Sequence, residues 1–147
     1  MGRGALVGLG GALALGIIGA PSAVTAQNSV EVARARQVVE DYTACERTRR
    51  FVACWALLSK RAQAEWARQG RGTVADYADA RSAAEPRYVD FRVMQIRPSP
   101  SRIVFVMEAT RSGAPDGPRD RVEYAILREG DRWRMDGRRV GQSETTP

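Results

Sequence analysis

Apolar and polar residues alternate along the second half of the chain, which predicts four β-strands in succession. Period-two patterning rich in Val, Ile and aromatic residues is typical of strands with one buried face. The predicted strands are Tyr88–Arg97, Ile103–Arg111, Arg121–Arg128 and Trp133–Val140. Turn-forming segments separate them at residues 98–100, 112–118 and 129–131. Because short connections favour antiparallel pairing, we expect a meander.

The alternation also predicts which side chains share a face. In the first strand, Val89, Phe91 and Val93 occupy alternate positions and should lie on one face. In the last strand, Met135 should lie on the opposite face from Asp136.

Upstream of the strands, apolar residues recur at helical spacing and predict four helices. The predicted helices are 28–47, 51–58, 60–69 and one that begins at Thr73 and ends before Pro86. Asn28 with Glu31, and Thr73 with Asp76, have the spacing of capping boxes. Ser59 should cap the third helix, which ends at Gly70.

The first predicted helix carries one apolar stripe, formed by Val32, Ala35, Val39 and Tyr42. Such a stripe must pack on another apolar surface, and the predicted sheet supplies one. We therefore predict an α+β fold in which N-terminal helices pack on a four-stranded antiparallel sheet.

Residues 1–26 have the pattern of a secretory signal peptide. Arg3 precedes an apolar run at 5–20, and small residues lead to a cleavage position after Ala26. An uncleaved N-terminal membrane anchor is the alternative interpretation. Either way, residues 27–147 are predicted to form a single domain that is secreted or extracytoplasmic.

The chain of 147 residues carries a formal net charge of +6, and Lys60 is its only lysine. The arginine bias can reflect genome composition as well as ligand choice. The charge is spread along the chain, which argues against nucleic acid as a partner. It allows weak contact with an anionic envelope surface. The arginines considered for that contact are Arg47, Arg49, Arg50, Arg132, Arg134, Arg138 and Arg139.

The chain contains no histidine, which excludes Ser-His-Asp and Cys-His catalysis within it. The commonest zinc ligand is also missing, and no Gly-rich phosphate loop or paired CxxC motif is present. The sequence therefore predicts no cofactor and no metal site.

Two cysteines, Cys45 and Cys54, flank the turn between the first two predicted helices. Two cysteines in an exported protein most often pair, so we predict a disulfide that joins these helices. Two buried thiols are the alternative.

The order of helices followed by four strands resembles the nuclear transport factor 2-like superfamily. The segment 129–136, in which a Gly turn precedes a Trp and an alternating strand, resembles the last hairpin of its bacterial extracytoplasmic members. Asp41-Tyr42 and the segment 55–59 resemble the helical half of the same proteins. This resemblance implies a cone, in which a curved sheet and its helices enclose a pocket.

Seven side chains are candidates to line such a pocket: Tyr42, Trp55, Trp66, Tyr77, Phe91, Met107 and Tyr124. Ordinary core packing is the alternative interpretation for each of them.

The resemblance also suggests an enzyme alternative, an isomerase or dehydratase in which Tyr42 acts with a strand carboxylate. The strand acids available are Glu108, Glu123 and Asp136, which cross-strand ion pairs on the outer face would explain equally well. The position where an isomerase of this kind carries its base reads Leu57 to Arg61, without a carboxylate.

These observations favour a noncatalytic, exported domain that binds a small apolar ligand or a partner protein. A homodimer is a further expectation, because the open face of such a sheet could pair with a second copy.

Overall fold

The computed structural model describes residues 23–84 and 86–142. Its helices are α1 (Ala23–Arg47), α2 (Phe51–Leu57), α3 (Lys60–Arg68) and α4 (Val74–Ala83). Its strands are β1 (Tyr88–Pro98), β2 (Arg102–Arg111), β3 (Asp120–Glu129) and β4 (Arg132–Gln142). The strands form one sheet in the order β1-β2-β3-β4, and every neighbouring pair is antiparallel. The predicted α+β fold with an antiparallel meander is confirmed.

Helix α1 begins at Ala23, so the predicted cap at Asn28 is wrong. Small residues with adequate helix propensity precede Asn28, and the helix continues through them. Glu31, the expected partner in the capping box, instead accepts a hydrogen bond of 2.7 Å from the indole Nε1 of Trp133. The predicted signal peptide lies outside the described residues except for its last four positions, which open α1.

The caps predicted for α3 and α4 are confirmed. The Ser59 hydroxyl accepts a hydrogen bond of 3.0 Å from the backbone N–H of Ala62. Thr73 and Asp76 form a reciprocal capping box at the start of α4. Gly70 follows α3 at φ +73°, the left-handed conformation that ends many helices.

One face of the sheet packs against the helices and forms the core. Its fully buried side chains include Ile103, Phe105, Val122 and Ile126. Helix α1 packs across β1, β3 and β4, while α3 contacts β4. The stripe predicted on α1 is the face that packs here, since Ala35, Val39 and Tyr42 are buried and Val32 is half-buried.

Both edge strands contain β-bulges, which change the predicted faces. In β1 the pairing skips Val89 and Met94, and both side chains are exposed. Val89 is therefore the extra residue of a bulge and does not continue a regular alternation with Phe91 and Val93. In β4 the pairing skips Asp136, so Met135 and Asp136 are both buried. The extra residue in a bulge shifts every later side chain to the opposite face.

Cys45 and Cys54 form a disulfide, with their Cα atoms 5.6 Å apart, which confirms the predicted pairing. The bond joins the last turns of α1 to the middle of α2. Within the described residues, no helix is long and apolar enough to cross a lipid bilayer.

Candidate functional site

Six of the seven pocket candidates form a continuous series of ring contacts through the core. Tyr77 packs against Trp55 and Trp66, with ring centroids 5.4 and 5.1 Å away. Tyr124 contacts Tyr42 and Phe91, each at 6.0 Å. The hydroxyls of Tyr42 and Tyr77 lie 2.9 Å apart and join the two groups. The helices and the sheet thus meet through aromatic side chains.

Met107, the seventh candidate, lies on β2 opposite Val93 of β1 and Val122 of β3. It is buried in the same core but lies outside the series of ring contacts. Tyr77 and Tyr124 are fully buried, so side chains fill the centre of the fold. Space for a ligand lies to either side of this aromatic series.

The first such space is the α3–β4 cleft, with a volume of about 440 Å³. Its apolar walls are Tyr42, Leu58, Ala62, Trp66, Pro86, Met135, Gly137 and Val140, and its polar groups are Glu65, Gln69, Arg81, Asp136 and Arg138. Two of the predicted pocket residues, Tyr42 and Trp66, therefore line it. Trp55, Tyr77 and Tyr124 line none of the clefts found among the described residues and instead support the wall from behind.

The bulge at Asp136 determines the β4 wall of this cleft. Before the bulge, Met135 pairs with Ile126, whose side chain is in the core. After it, Arg138 pairs with Tyr124 and Val140 pairs with Val122, so these two β4 residues lie on the helix side of the sheet. If β4 alternated regularly through Asp136, with no bulge, Gly137 and Arg139 would take that side. The bulge therefore places Arg138 and Val140 in the cleft.

Three charged side chains lie beside the aromatic series. Glu46 of α1 accepts hydrogen bonds from Arg81 of α4 and from Arg138 of β4, the second at 3.3 Å, through the same carboxylate oxygen. All three side chains are mostly buried. Among the described residues, the Nε–H groups of Arg81 and Arg138 have no acceptor, and the buried Tyr124 hydroxyl has no partner.

The tyrosines of the cluster remain protonated at neutral pH. Burial, reinforced by the Glu46 carboxylate, raises the pKa of Tyr42 well above its ordinary value. Burial likewise raises the pKa of Tyr77 and of Tyr124. Burial alone would lower the pKa of Arg81, but Glu46 together with Tyr42 and Tyr77 more than offsets burial, and the pKa rises. These groups therefore present fixed charges and hydroxyl dipoles rather than titrating bases.

The strand acids differ in position from one another. Glu108 pairs with Arg119 and Glu123 with Arg97, as expected for ion pairs on the outer face. Asp136 does not lie on the outer face of the sheet, because the bulge turns its side chain inward.

The Asp136 carboxylate, fully buried, accepts hydrogen bonds from the Ser59 hydroxyl and from the guanidinium of Arg61, each at 2.8 Å through Oδ1. Burial raises the pKa of Asp136, but the hydrogen bonds from Arg61 and Ser59 outweigh burial and leave it below the ordinary value. Asp136 thus anchors the start of α3 to β4.

Asp120 is a second buried carboxylate, and its role was not predicted from the sequence. It accepts two hydrogen bonds from Arg111, at 2.9 and 2.8 Å, and one of 2.7 Å from the Tyr88 hydroxyl. The Arg111 guanidinium, with help from Tyr88, holds its pKa below the ordinary value. Through these hydrogen bonds, the Asp120 carboxylate links β3 to Tyr88 of β1 and to Arg111 of β2 at one end of the sheet.

Within the described ranges, no three acidic or cysteine side chains come together as metal ligands. The structure also brings together Glu46, Arg81 and Arg138, which sequence reasoning did not connect. They lie 35 and 92 positions apart, and only the helix packing and the β4 bulge make them neighbours. The one sequence feature that could have indicated this cluster is Glu46, a charged residue at the end of the buried stripe of α1.

Comparison with models of protein families, with curated proteins and with solved structures found no match for this chain.

Proposed function

We propose that this chain is an exported, noncatalytic domain of nuclear transport factor 2-like type whose α3–β4 cleft binds a small apolar ligand. The observation that carries the proposal is the cleft itself. It is concave, its volume of about 440 Å³ is that of a small-molecule site, and most of its lining is apolar. A few polar groups in the lining, including Arg81, would orient the ligand.

The placement of the acids supports binding rather than catalysis. A general base must lie within hydrogen-bond reach of the atom from which it takes a proton. The Tyr42 hydroxyl bonds to Tyr77, while Glu108, Glu123 and Asp136 each pair with an arginine. The isomerase or dehydratase alternative would need Tyr42 and a strand carboxylate to leave these partners.

Export is supported by two features of the chain. The N-terminal apolar run has the pattern of a signal peptide. The Cys45–Cys54 disulfide is of the kind that persists in oxidising compartments outside the cytoplasm.

A partner protein is the other occupant that the sequence suggests. The exposed large apolar side chains include Val30 on α1, Val52 on α2, and Val89 and Met94 on β1. Single exposed apolar residues are normal on soluble proteins, so the cleft favours the small ligand.

A titration with the neutral, apolar dye Nile red tests the proposal. The full chain should bind one dye molecule saturably, with an increase in dye fluorescence. Val140→Gln makes the cleft wall polar and should weaken binding about tenfold. Val52→Gln is the matched control, because Val52 is 68% exposed on α2 and lines none of the described clefts.

Equal effects of the two substitutions, or dye binding without saturation, would show that the cleft is not the binding site. Weak activity toward a ketosteroid that is lost in Tyr42→Phe would favour the enzyme alternative instead.

A further inference from the structure

We propose that a second cleft, which shares Arg81, Pro86 and Arg138 with the α3–β4 cleft, binds a small organic anion through its carboxylate or phosphate group. This arginine cleft has a volume of about 230 Å³. It is lined by Glu46, Arg47, Arg49, Phe51, Arg81, Ala84, Pro86, Arg87, Tyr88, Val89, Phe91, Ser112 and Arg138. The proposal rests on this lining and is independent of the apolar ligand proposed above.

The charge of the lining favours an anion. Five arginines and one carboxylate, Glu46, are the charged groups among the described residues that line the cleft. Guanidinium groups stay protonated at any physiological pH, and their fork of donors matches carboxylate and phosphate oxygens. A cleft with charges of one sign concentrates ions of the other sign.

The two innermost arginines share one ion-pair partner among the described residues. Arg81 and Arg138 both contact the same oxygen of Glu46, and their side chains are only 20% and 15% exposed. Asp120 also attracts Arg138 electrostatically, but both Nε–H groups lack an acceptor among the described residues. An uncompensated buried charge is costly, and each unsatisfied buried donor calls for an explanation. A bound oxyanion would supply the missing charge and the missing acceptors after a small rotation of the guanidiniums.

Aromatic rings hold two of the guanidiniums in place. Arg138 lies over the Tyr88 ring at 5.4 Å from its centroid, and Arg49 lies over Phe51 at 5.9 Å. Stacking on a ring covers the face of a guanidinium and leaves its N–H edge available. Together with Phe91, these rings also offer an apolar surface for the body of the ligand.

Arg49 occupies its position at a backbone cost. Its φ is +58°, and it is the only residue besides glycine that the structure describes in the left-handed region. It lies two residues after Arg47, the last residue of α1, at a position where glycine is the usual residue. Strained positions of this kind concentrate at functional sites. The chain therefore places a guanidinium at the cleft where glycine would be easier to accommodate.

The size of the cleft limits the ligand. About 230 Å³ is below the range of drug-sized sites, so the cleft suits one charged group on a single ring or short chain. An extended anionic polymer would need a continuous basic surface. The arginines considered from the sequence do not form one, because Arg132 and Arg134 lie at the hairpin end of β4, remote in the strand from Arg138.

Calorimetric titration of the full chain with phenyl phosphate tests the proposal. One molecule should bind per chain, and benzoate should compete for the same site, while neutral phenol should not. Inorganic phosphate as a separate titrant shows how much of the affinity comes from the anion alone. If benzoate fails to compete, the site selects phosphate; if only benzoate binds, it selects carboxylate.

Arg49→Gly is the decisive variant, because it removes a guanidinium and relieves the backbone at the same position. Its melting temperature should be unchanged or higher, and its affinity for phenyl phosphate should fall about tenfold. Arg138→Gln should weaken binding at least as much. Arg92→Gln removes an equal charge at an exposed position on β1 outside the cleft, and it should change the affinity less than twofold.

The proposal is overturned if neither phenyl phosphate nor benzoate binds, if several molecules bind per chain, or if Arg92→Gln weakens binding as much as Arg49→Gly. Should Arg138→Gln fail to fold, Arg49→Gly still decides the question. Nile red binding should be unaffected by Arg49→Gly, so that failure at this cleft and failure at the α3–β4 cleft remain distinct results.

Discussion

Two buried carboxylates show how single residues connect parts of the chain that are distant in sequence. Asp136 joins β4 to the Ser59 cap of α3, and Asp120 joins Tyr88 to Arg111. A buried carboxylate is stable only when its oxygens accept hydrogen bonds, and both carboxylates meet this condition. Protonation of either carboxylate should therefore lower the free energy of unfolding.

The pH dependence of stability follows from the low pKa values of Asp120 and Asp136. An unfolded Asp has a pKa of about 3.9. Because both pKa values are lower in the folded state, this stabilisation is complete above the unfolded value. It is lost as the pH falls below about 4 and through the folded pKa values. Urea unfolding between pH 3 and 7 should show this decline in the free energy of unfolding.

Replacing both carboxylates by amides should reduce the acid-induced decline. The Asp120→Asn/Asp136→Asn variant is expected to be less stable at pH 7 and to lose less stability on acidification. Asp79→Asn is the control, since Asp79 is exposed on α4. Curves of the same slope for all three proteins would contradict the assignment.

Among the elements, helices α3 and α4 both have a side-chain N-cap, but the two cap residues differ in burial. Ser59 is fully buried, and its hydroxyl both accepts from Ala62 and donates to Asp136. Thr73 is exposed and serves α4 alone. A cap that also satisfies a buried carboxylate should contribute more to stability than an isolated cap.

We therefore expect Ser59→Ala to lower the free energy of unfolding by about 2–3 kcal/mol and Thr73→Ala by about 1 kcal/mol. Denaturant unfolding at pH 7 measures both values. Ser82→Ala, a hydroxyl deletion in the last turn of α4, should have little effect. If Thr73→Ala costs as much as Ser59→Ala, the link from Ser59 to Asp136 contributes nothing measurable.

The disulfide fixes α2 against α1. It closes a short loop, so its removal in Cys45→Ala/Cys54→Ala should cost about 2–3 kcal/mol, mainly through the greater freedom of the unfolded chain. Thermal unfolding should show a loss of several degrees. Two titratable thiols in the folded, nonreduced protein would contradict the pairing.

The elements were predictable from the sequence because each follows from a local signal. The β-branched, apolar run at 103–107, the Thr73–Asp76 box and Gly70 each determine structure within a few residues. The bulges at Val89, Met94 and Asp136 were not predictable, because a bulge depends on register with the partner strand. The position of Arg138 follows from such a bulge, so the sequence indicated the aromatic candidates but not the arginine pair beside them.

In the molecule as a whole, the clefts large enough for a ligand lie at the edges of the core formed by the four helices and the sheet. The aromatic series fills the centre, and Arg81 and Arg138 line both the α3–β4 cleft and the arginine cleft. This arrangement suits binding, since a wall supported by packed rings is preorganised.

The export proposal predicts the N-terminus of the mature protein. If cleavage follows Ala26, secreted material should begin at Gln27, within the first two turns of α1. Intact-mass spectrometry of the secreted and membrane fractions measures this. Recovery of the intact chain in membranes would favour the N-terminal anchor.

The most direct test of the central claim is to locate a bound apolar ligand by NMR. Isotope-filtered nuclear Overhauser spectra of the labelled protein with unlabelled 1-octanol report which side chains touch the alcohol. We predict contacts to the Trp66 ring, the Met135 methyl and the Val140 methyls, which line the α3–β4 cleft. Contacts confined to exposed residues such as Val52, or no contacts at saturating octanol, would contradict the account.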